Sequence, residues 1–444
     1  MRKRVFVLFV AVVLCFAMLA GCGAPSTPSE PASTESAADV SESAAPAETS
    51  DSEPVTLRIL AGQSTSDAGI EEFITEAVAK KYPNITLEWE CVDWGTGFQP
   101  KMQVYMQNGL PDIMVGKAQD VVTYGSLGLL ADLSGKPYMG EVLEAANDGV
   151  TLDGKLYGLT YNALYQGVYY NKAMFEENGW TVPDTLEQLQ AIIDDCNAKG
   201  ITPFATHMVD TWSIGNMTMQ FAVNDVFRNT PDWGDQFRAG NVTFAASDEY
   251  RKCYEYNKLI YDNTWSDETF STEQTACDAK MVQGEAAMKV SGSWSIQNFL
   301  DVDENFDFGI FPFPNQTGDA KLLFEPNMTY MASADSPNQD AIDKFLEVIS
   351  TDKELALEIY NFTKTAPMIK GVTPTFTNPS QADIDKYAAE GRIQDVNLGN
   401  NQLQWGGFQE ENAKDIAEYL QGNITIDDAL KAADARKDNS KSVS

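Results

Sequence analysis

An α/β fold is predicted for the chain from Val55 onward, and three neighbouring segments predict it. In "VTLRIL", Val55, Leu57 and Ile59 alternate with Thr56 and Arg58, the period-two pattern of a half-buried strand. After a polar loop, Ala61 to Gly69, the residues Ile70, Phe73, Ile74, Ala77 and Val78 recur at helical spacing. Ile85, Leu87, Trp89 and Cys91 then alternate again. Strand, helix and strand in that order form a β-α-β unit, whose strands are expected to be parallel with a right-handed crossover.

The later elements follow from similar signals. Lys80 and Lys81 suit the negative end of the first helix, and Pro83 stops it. An amphipathic stretch around Lys101 to Gln107 leads to "LPDIMVG", a short third strand. In "PDTLEQLQAIIDDCNAKG", Thr185 and Gln188 form a capping box, Leu186, Leu189, Ile193 and Cys196 line one face, and Gly200 closes the helix. Ala286 to Val290 reads as a buried strand. "SPNQDAIDKFLEVIS", "ENAKDIAEYLQG" and "TIDDALKAAD" are further helices, and no repeat of 20–50 residues occurs.

The N-terminus has a different character. Arg2, Lys3 and Arg4 precede an apolar run, Val5 to Leu19, too short for a comfortable membrane span and suited to a secretory signal. "LAGC" closes it with small residues and Cys22. Residues 23–54 are almost entirely Ser, Thr, Ala, Pro, Glu and Asp, without aromatics, Lys or Arg. Such a segment buries too little apolar surface to offset its ordering entropy and is expected to act as a self-repelling tether. "LAGC" resembles the lipobox of bacterial lipoproteins. The resemblance implies a signal peptide over residues 1–21, a lipid on the Cys22 thiol, a linker over 22–54 and attachment to the outer face of the cell membrane.

Composition excludes several functions. The formal charge is −34, and −37 without Arg2, Lys3 and Arg4, which argues against nucleic acid as a partner. Cys91, Cys196, Cys253 and Cys277 form no C-x-x-C motif and are expected to be four buried free thiols, though an extracellular setting leaves disulfides open. His207 is the single histidine, so a Ser-His-Asp triad or a multi-histidine metal site would depend on it; a structural or polar-contact role is expected. No G-x-S-x-G, G-x-x-x-x-G-K or H-E-x-x-H occurs, and no catalytic residue, metal or cofactor is expected.

In α/β sheets, ligands bind outside the carboxyl ends of the strands, here the loops at 63–67, 93–98 and 116–120. Four tryptophans fall in turn-like settings: Trp94, Trp212, Trp294 and Trp405. Together they are what a sugar site needs, because a pyranose lays a face of C–H bonds on an aromatic ring and presents a rim of hydroxyls to polar groups.

Five segments in order then resemble the extracellular solute-binding proteins of ATP-binding-cassette importers, in the branch that includes maltose-binding protein. They are "NGLPDIMVG" with "LGLLADLSG", then "DGKLYGLTYNALYQGVYYNKAMFEENGWTVPDTLEQL", "MVQGEAAMKVSGSW", "FGIFPFP" and "ASADSPNQDAIDKFLEVIST". The resemblance implies a two-lobed periplasmic-binding-protein-like (type II) fold, with hinge-crossing strands and an interlobe cleft that closes on its ligand. Lobe one would be residues 55–160 with 325–370, and lobe two residues 161–324 with 371–444. It also implies contacts from Trp294, Trp405, Trp212, Gln63, Ser64 and Gln119, and a structural role for Asp112. "FEPNMTY" departs from the Gly-rich turn of many members, adding Glu325 and Asn327 as candidate contacts and raising the question of a charged ligand.

The expected function is a monomeric, lipid-anchored receptor that passes a sugar or oligosaccharide to the permease subunits of an importer. Two alternatives stay open: a non-sugar solute such as a polyamine, motivated by the acidity and Glu325, and a secreted glycoside hydrolase, for which no carboxylate spacing singles out a pair.

Overall fold

In the computed structural model, which describes residues 53–62, 65, 69–93, 97–265, 267–396 and 408–440, β1 (Val55–Gly62) runs parallel to β2 (Ile85–Val92). The pairing is unbroken from Val55 opposite Ile85 to Gly62 opposite Val92. Ala61 and Gly62, expected in the loop, therefore belong to the strand, because Cys91 and Val92 continue to pair with them. The helix Ile70–Lys81 joins these strands and buries Ile70, Ile74 and Val78. The helix Phe98–Asn108 leads to β3 (Ile113–Gly116), which pairs parallel on the other side of β1.

A short hairpin, β4 (Thr151–Leu152) and β5 (Lys155–Leu156), precedes the long β6 (Leu159–Asn171). The remaining strands are β7 (Thr202–Phe204), β8 (Ala286–Gly292), β9 (Phe308–Phe311), β10 (Leu322–Ala332), β11 (Ala366–Pro367) and β12 (Ile393–Asp395). The sheet order is β2-β1-β3-β10-β6-β8-β7, with β9 and β11 also on β6 and β12 on β10.

The antiparallel pair β6 and β10 carries the architecture. The carboxyl end of β10 pairs with β3 through Thr329 to Ala332, and Gln166 to Tyr170 of β6 pair with β8. Buried apolar side chains gather in separate clusters on the two sides. One contains Leu57, Ile59, Ile113, Tyr330, Phe345 and Tyr360; the other contains Ile193, Phe204, Cys253, Met288, Phe299 and Ile416. β6 gives Leu159, Tyr161 and Ala163 to the first and Val168, Tyr169 and Tyr170 to the second. Each such side chain contributes about 1.5–3 kcal/mol on full burial, so each side has its own driving force for folding. At the change of side stands Gly167, where a Cβ would lie 2.6 Å from the Phe311 carbonyl oxygen.

β10 has one irregular position. Met328 has φ 45°, and the pairing with β6 passes from Asn327 opposite Asn162 to Thr329 opposite Thr160. A side chain in this left-handed region strains the backbone.

The sequence-predicted helices are present. Leu186–Lys199 starts with the Thr185–Gln188 capping box and ends at Gly200 with φ 72°. Gln339–Thr351, Phe408–Leu420 and Ile426–Ala435 match the three later segments. No disulfide joins Cys91, Cys196, Cys253 or Cys277; the last three are buried as expected, whereas Cys91 on β2 is only half-buried and donates its thiol hydrogen to Glu71 at 3.2 Å. Among the described residues no helix is long and apolar enough to cross a membrane.

Candidate functional site

Lys117 directly follows β3, at the carboxyl end of the strand and the start of the helix Ala118–Ser126. Its ammonium nitrogen lies 3.1 Å from Glu325 Oε1 on β10; the Lys117 side chain is 36 % exposed and that of Glu325 is 2 % exposed. The second Glu325 oxygen accepts from Gln166 Nε2 of β6. Gln166 Oε1 accepts from Asn216 Nδ2 at 3.1 Å, and Asn216 Oδ1 accepts from Gln220 Nε2 at 2.9 Å. Gln220 also donates to the Ser291 carbonyl of β8 at 3.3 Å. One polar chain thus runs from β3 across the shared strands to the helix Trp212–Ala222.

Burial works against the Lys117 charge, but the Glu325 carboxylate, with Asp120 and Glu410 adding to it, more than offsets this and holds its pKa above the ordinary value. Glu410, on the helix Phe408–Leu420, is pushed up by burial, with Lys117 acting against the shift. Both Glu325 oxygens are engaged, so the carboxylate that had raised the question of a cationic ligand is already neutralised within the protein.

A second group forms where β8 ends. Gly292 is required there, because a Cβ would lie 2.1 Å from Cζ3 of the Trp294 ring. The indole folds back over the strand end, so the small residue makes room for the ring itself. Ser293 Oγ accepts the Tyr165 N–H at 2.9 Å and ties this turn to β6. Trp294 meets Trp212 edge to face, with centroids 6.0 Å apart at 74°, and both residues are half-buried. Trp212 in turn meets His207 at 5.4 Å and 63°. Ser213 Oγ donates to the His207 carbonyl at 2.7 Å, which fixes the start of the Trp212 helix against the segment after β7.

Thr206, His207, Trp212, Lys289 and Trp294 border a recess of about 10 Å³. His207 is 3 % exposed. Burial, with the Lys289 ammonium beside it, pushes its pKa down to about 3, so the ring is neutral. Lys289 itself is buried against Asp278, with Nζ 2.5 Å from Oδ1. Burial disfavours its charge, yet the Asp278 carboxylate outweighs this and raises its pKa. A larger cavity, about 30 Å³, is lined by Phe227, Phe244, Tyr250 and Phe408 together with Gly215, Thr218, Gln409 and Asn412.

Of the residues expected to contact ligand, Trp212 and Trp294 are brought together, and Glu325 is linked to the Trp212 helix through Gln166 and Asn216. Asn327 is half-buried two residues along β10, whereas Gln119 is buried in its helix. Gln63, Ser64, Trp94, Trp405 and Cys22 lie outside the described residues. Asp112 is structural: it accepts the Arg58 N–H at 2.8 Å and the Ser336 hydroxyl at 2.6 Å. Sequence reasoning passed over Lys117, Gln166, Thr206 and Asn216 as site residues. The available signals were a lysine beside a strand end in an acidic chain, and a glutamine within an otherwise buried strand. Among the described residues no group of three His, Cys, Asp or Glu is arranged to hold a metal ion.

The family model described as bacterial extracellular solute-binding protein matches residues 61–356. The multiple sugar-binding protein of Streptococcus mutans serotype c is 23 % identical over 338 residues, covering 74 % of this chain and 78 % of its own. Among solved structures, a chitin oligosaccharide binding protein aligns with TM-score 0.74 and 21 % identity over 87 % of this chain and 99 % of its own. The solute-binding protein RafE in complex with raffinose aligns with TM-score 0.71 and 19 % identity over 87 % of this chain and all of its own. These likenesses show the fold: the two-domain α/β architecture of periplasmic sugar-binding proteins.

Proposed function

Since the chain belongs to the bacterial extracellular solute-binding protein family, we propose that it captures a neutral sugar or oligosaccharide and delivers it to an ATP-binding-cassette permease. The observation that carries this reading is the Trp212–Trp294 pair, two half-buried indoles set edge to face beside a polar recess. Such rings offer apolar faces to the C–H side of a pyranose. The names of the relatives, a multiple sugar-binding protein and a raffinose complex among them, support the same class of ligand. A polyamine needs unpaired carboxylates. The engagement of Glu325 by Lys117 and Gln166 favours a neutral solute instead.

The protein acts in this reading as a monomeric receptor without catalytic turnover. Residues 55–160 with 325–370 form one lobe, and residues 161–324 with 371–444 the other. The passage of β6 and β10 between two apolar clusters supports that division. Residues 1–21 are a signal peptide, and Cys22 carries the lipid that keeps the receptor at the outer face of the cell membrane.

The test is a thermal-shift screen followed by calorimetry, with raffinose, maltotriose, diacetylchitobiose and spermidine. A neutral sugar is expected to bind; at a hundred times its Kd it stabilises the protein by about 2.7 kcal/mol. Binding of spermidine with no response to any sugar would refute the reading.

A further inference from the structure

We infer that Thr206, His207 and Trp294 form a subsite for one hydroxyl group of the solute, with the His207 imidazole accepting a hydrogen bond from its O–H and the Trp294 indole N–H donating one to its oxygen. The inference rests on the reading of the chain as a sugar receptor and adds which side chains recognise the solute and how.

Three buried side-chain atoms, Thr206 Oγ1, His207 Nε2 and Trp294 Nε1, have no hydrogen-bond partner among the described residues. Buried polar groups in folded proteins are nearly always paired, so one such atom asks for an explanation and three in one place ask for a common one. All three side chains border the same recess. Its volume, about 10 Å³, is that of roughly one oxygen-sized group.

The donor and acceptor types select among occupants. An indole N–H can only donate, a threonine hydroxyl does either, and a neutral imidazole offers one acceptor nitrogen. His207 is held neutral by its burial and by the Lys289 ammonium. The subsite requires the tautomer with its proton on Nδ1, in which the ring accepts at Nε2. A hydroxyl both donates and accepts, and so satisfies His207 and Trp294 together. A carboxylate would offer His207 no proton, and an ammonium would offer Trp294 no lone pair.

Lys289 does not draw an anion into the recess, because its ammonium is spent on Asp278, whose other oxygen accepts from Asn298 at 2.7 Å. Trp212 packs against both His207 and Trp294 and fixes the angle between them. A recess of this size excludes a pyranose ring. The ring therefore stays against the half-buried indoles and sends in a single arm, and a primary hydroxyl on one exocyclic carbon has that shape.

His207 is the only histidine of the 444 residues, so one imidazole signal reports the subsite without assignment. The protein labelled with 15N-histidine is titrated with raffinose, maltotriose and diacetylchitobiose while calorimetry records binding. A sugar that binds is expected to move the Nε2 resonance into the hydrogen-bonded range. His207→Phe is expected to weaken that sugar by about tenfold, the size of one lost hydrogen bond with a stranded partner, and His207→Gln to retain most of the affinity. Calorimetric binding with both ring nitrogens unmoved, and a His207→Phe affinity within about twofold of the original, would mean that the recess holds only a resident water. The subsite would then be wrong and the sugar-receptor reading intact. No binding of any sugar would overturn both.

Discussion

Replacing Lys289 by methionine removes one half of an ion pair that has no access to water. The two side chains are 2 % and 0 % exposed, and the charged atoms are 2.5 Å apart. After the change Asp278 keeps the Asn298 amide at 2.7 Å and the Gln274 amide at 3.4 Å, neither of which carries charge. Methionine fills most of the lysine stem, so the cavity contribution is small. What remains is a buried carboxylate without a counter-ion, which costs about 3–5 kcal/mol. Changing Asp278→Asn as well takes away the charge and keeps an acceptor for Asn298; the double variant is expected to recover at least about half of the loss. Urea denaturation followed by tryptophan fluorescence measures both. A second readout is independent of stability: Lys289 is one of the two causes that depress His207, so the His207 pKa should rise in Lys289→Met. A loss below about 1 kcal/mol, or a double variant as weak as the two single losses combined, would refute the account of this pair.

The remaining predictions concern the same region and the hinge. His207 is depressed from 6.5 to about 3 in the folded protein, so between those values the unfolded chain binds more protons. Its contribution to stability is present above pH 6.5 and is lost as pH falls, at up to about 1.4 kcal/mol per pH unit. Stability curves of the wild type and His207→Gln that stay parallel from pH 4 to 6.5 would contradict this. Lys117→Met strands the Glu325 carboxylate, but Lys117 is partly open to solvent; the expected loss is about 1–3 kcal/mol by denaturant titration, and Glu325→Gln in the same chain should restore part of it. Met328→Gly relieves the positive φ and is expected to hold or raise the melting temperature, whereas Met328→Val should cost at least about 1 kcal/mol. Trp294→Ala should weaken sugar binding by about 1–3 kcal/mol in calorimetry, or one to two decades; a large fall in melting temperature at constant affinity would make the indole a packing residue.

The opening β-α-β unit was legible because its signals are local. The alternation in Val55–Ile59 and Ile85–Cys91 and the helical spacing from Ile70 to Val78 each report a face that must be buried, and a face is a property of a few consecutive residues. The capping box at Thr185 and the close at Gly200 were readable for the same reason. Trp212 and Trp294 stood out one at a time by their turn-like settings, but that they meet is a fact about the helix after β7 and the turn after β8, 82 residues apart in the chain.

The polar groups of the site carried no comparable mark. Gln166 sits in a largely buried strand between Tyr165 and Gly167, and its role appears only when β10 brings Glu325 and the Trp212 helix brings Asn216. Glu325 read as a negative charge offered to a ligand, and the fold placed Lys117 against it. A charge keeps its sign in any sequence, but whether it is offered or already spent depends on distance and burial, since the strength of an ionic contact varies with separation and surrounding dielectric. His207 is the sharpest case. As the only histidine it reads as a structural or polar-contact residue, because a lone histidine has no periodicity to say what it faces. By itself the sequence determined the α/β class and the order of the elements it marks, and it offered aromatic residues of a type that suits a sugar, since each depends on local pattern and side-chain type. Only the tertiary structure decided which carboxylate is neutralised and which buried polar atoms are left to share a recess, because both depend on groups far apart in the chain meeting within a few ångströms.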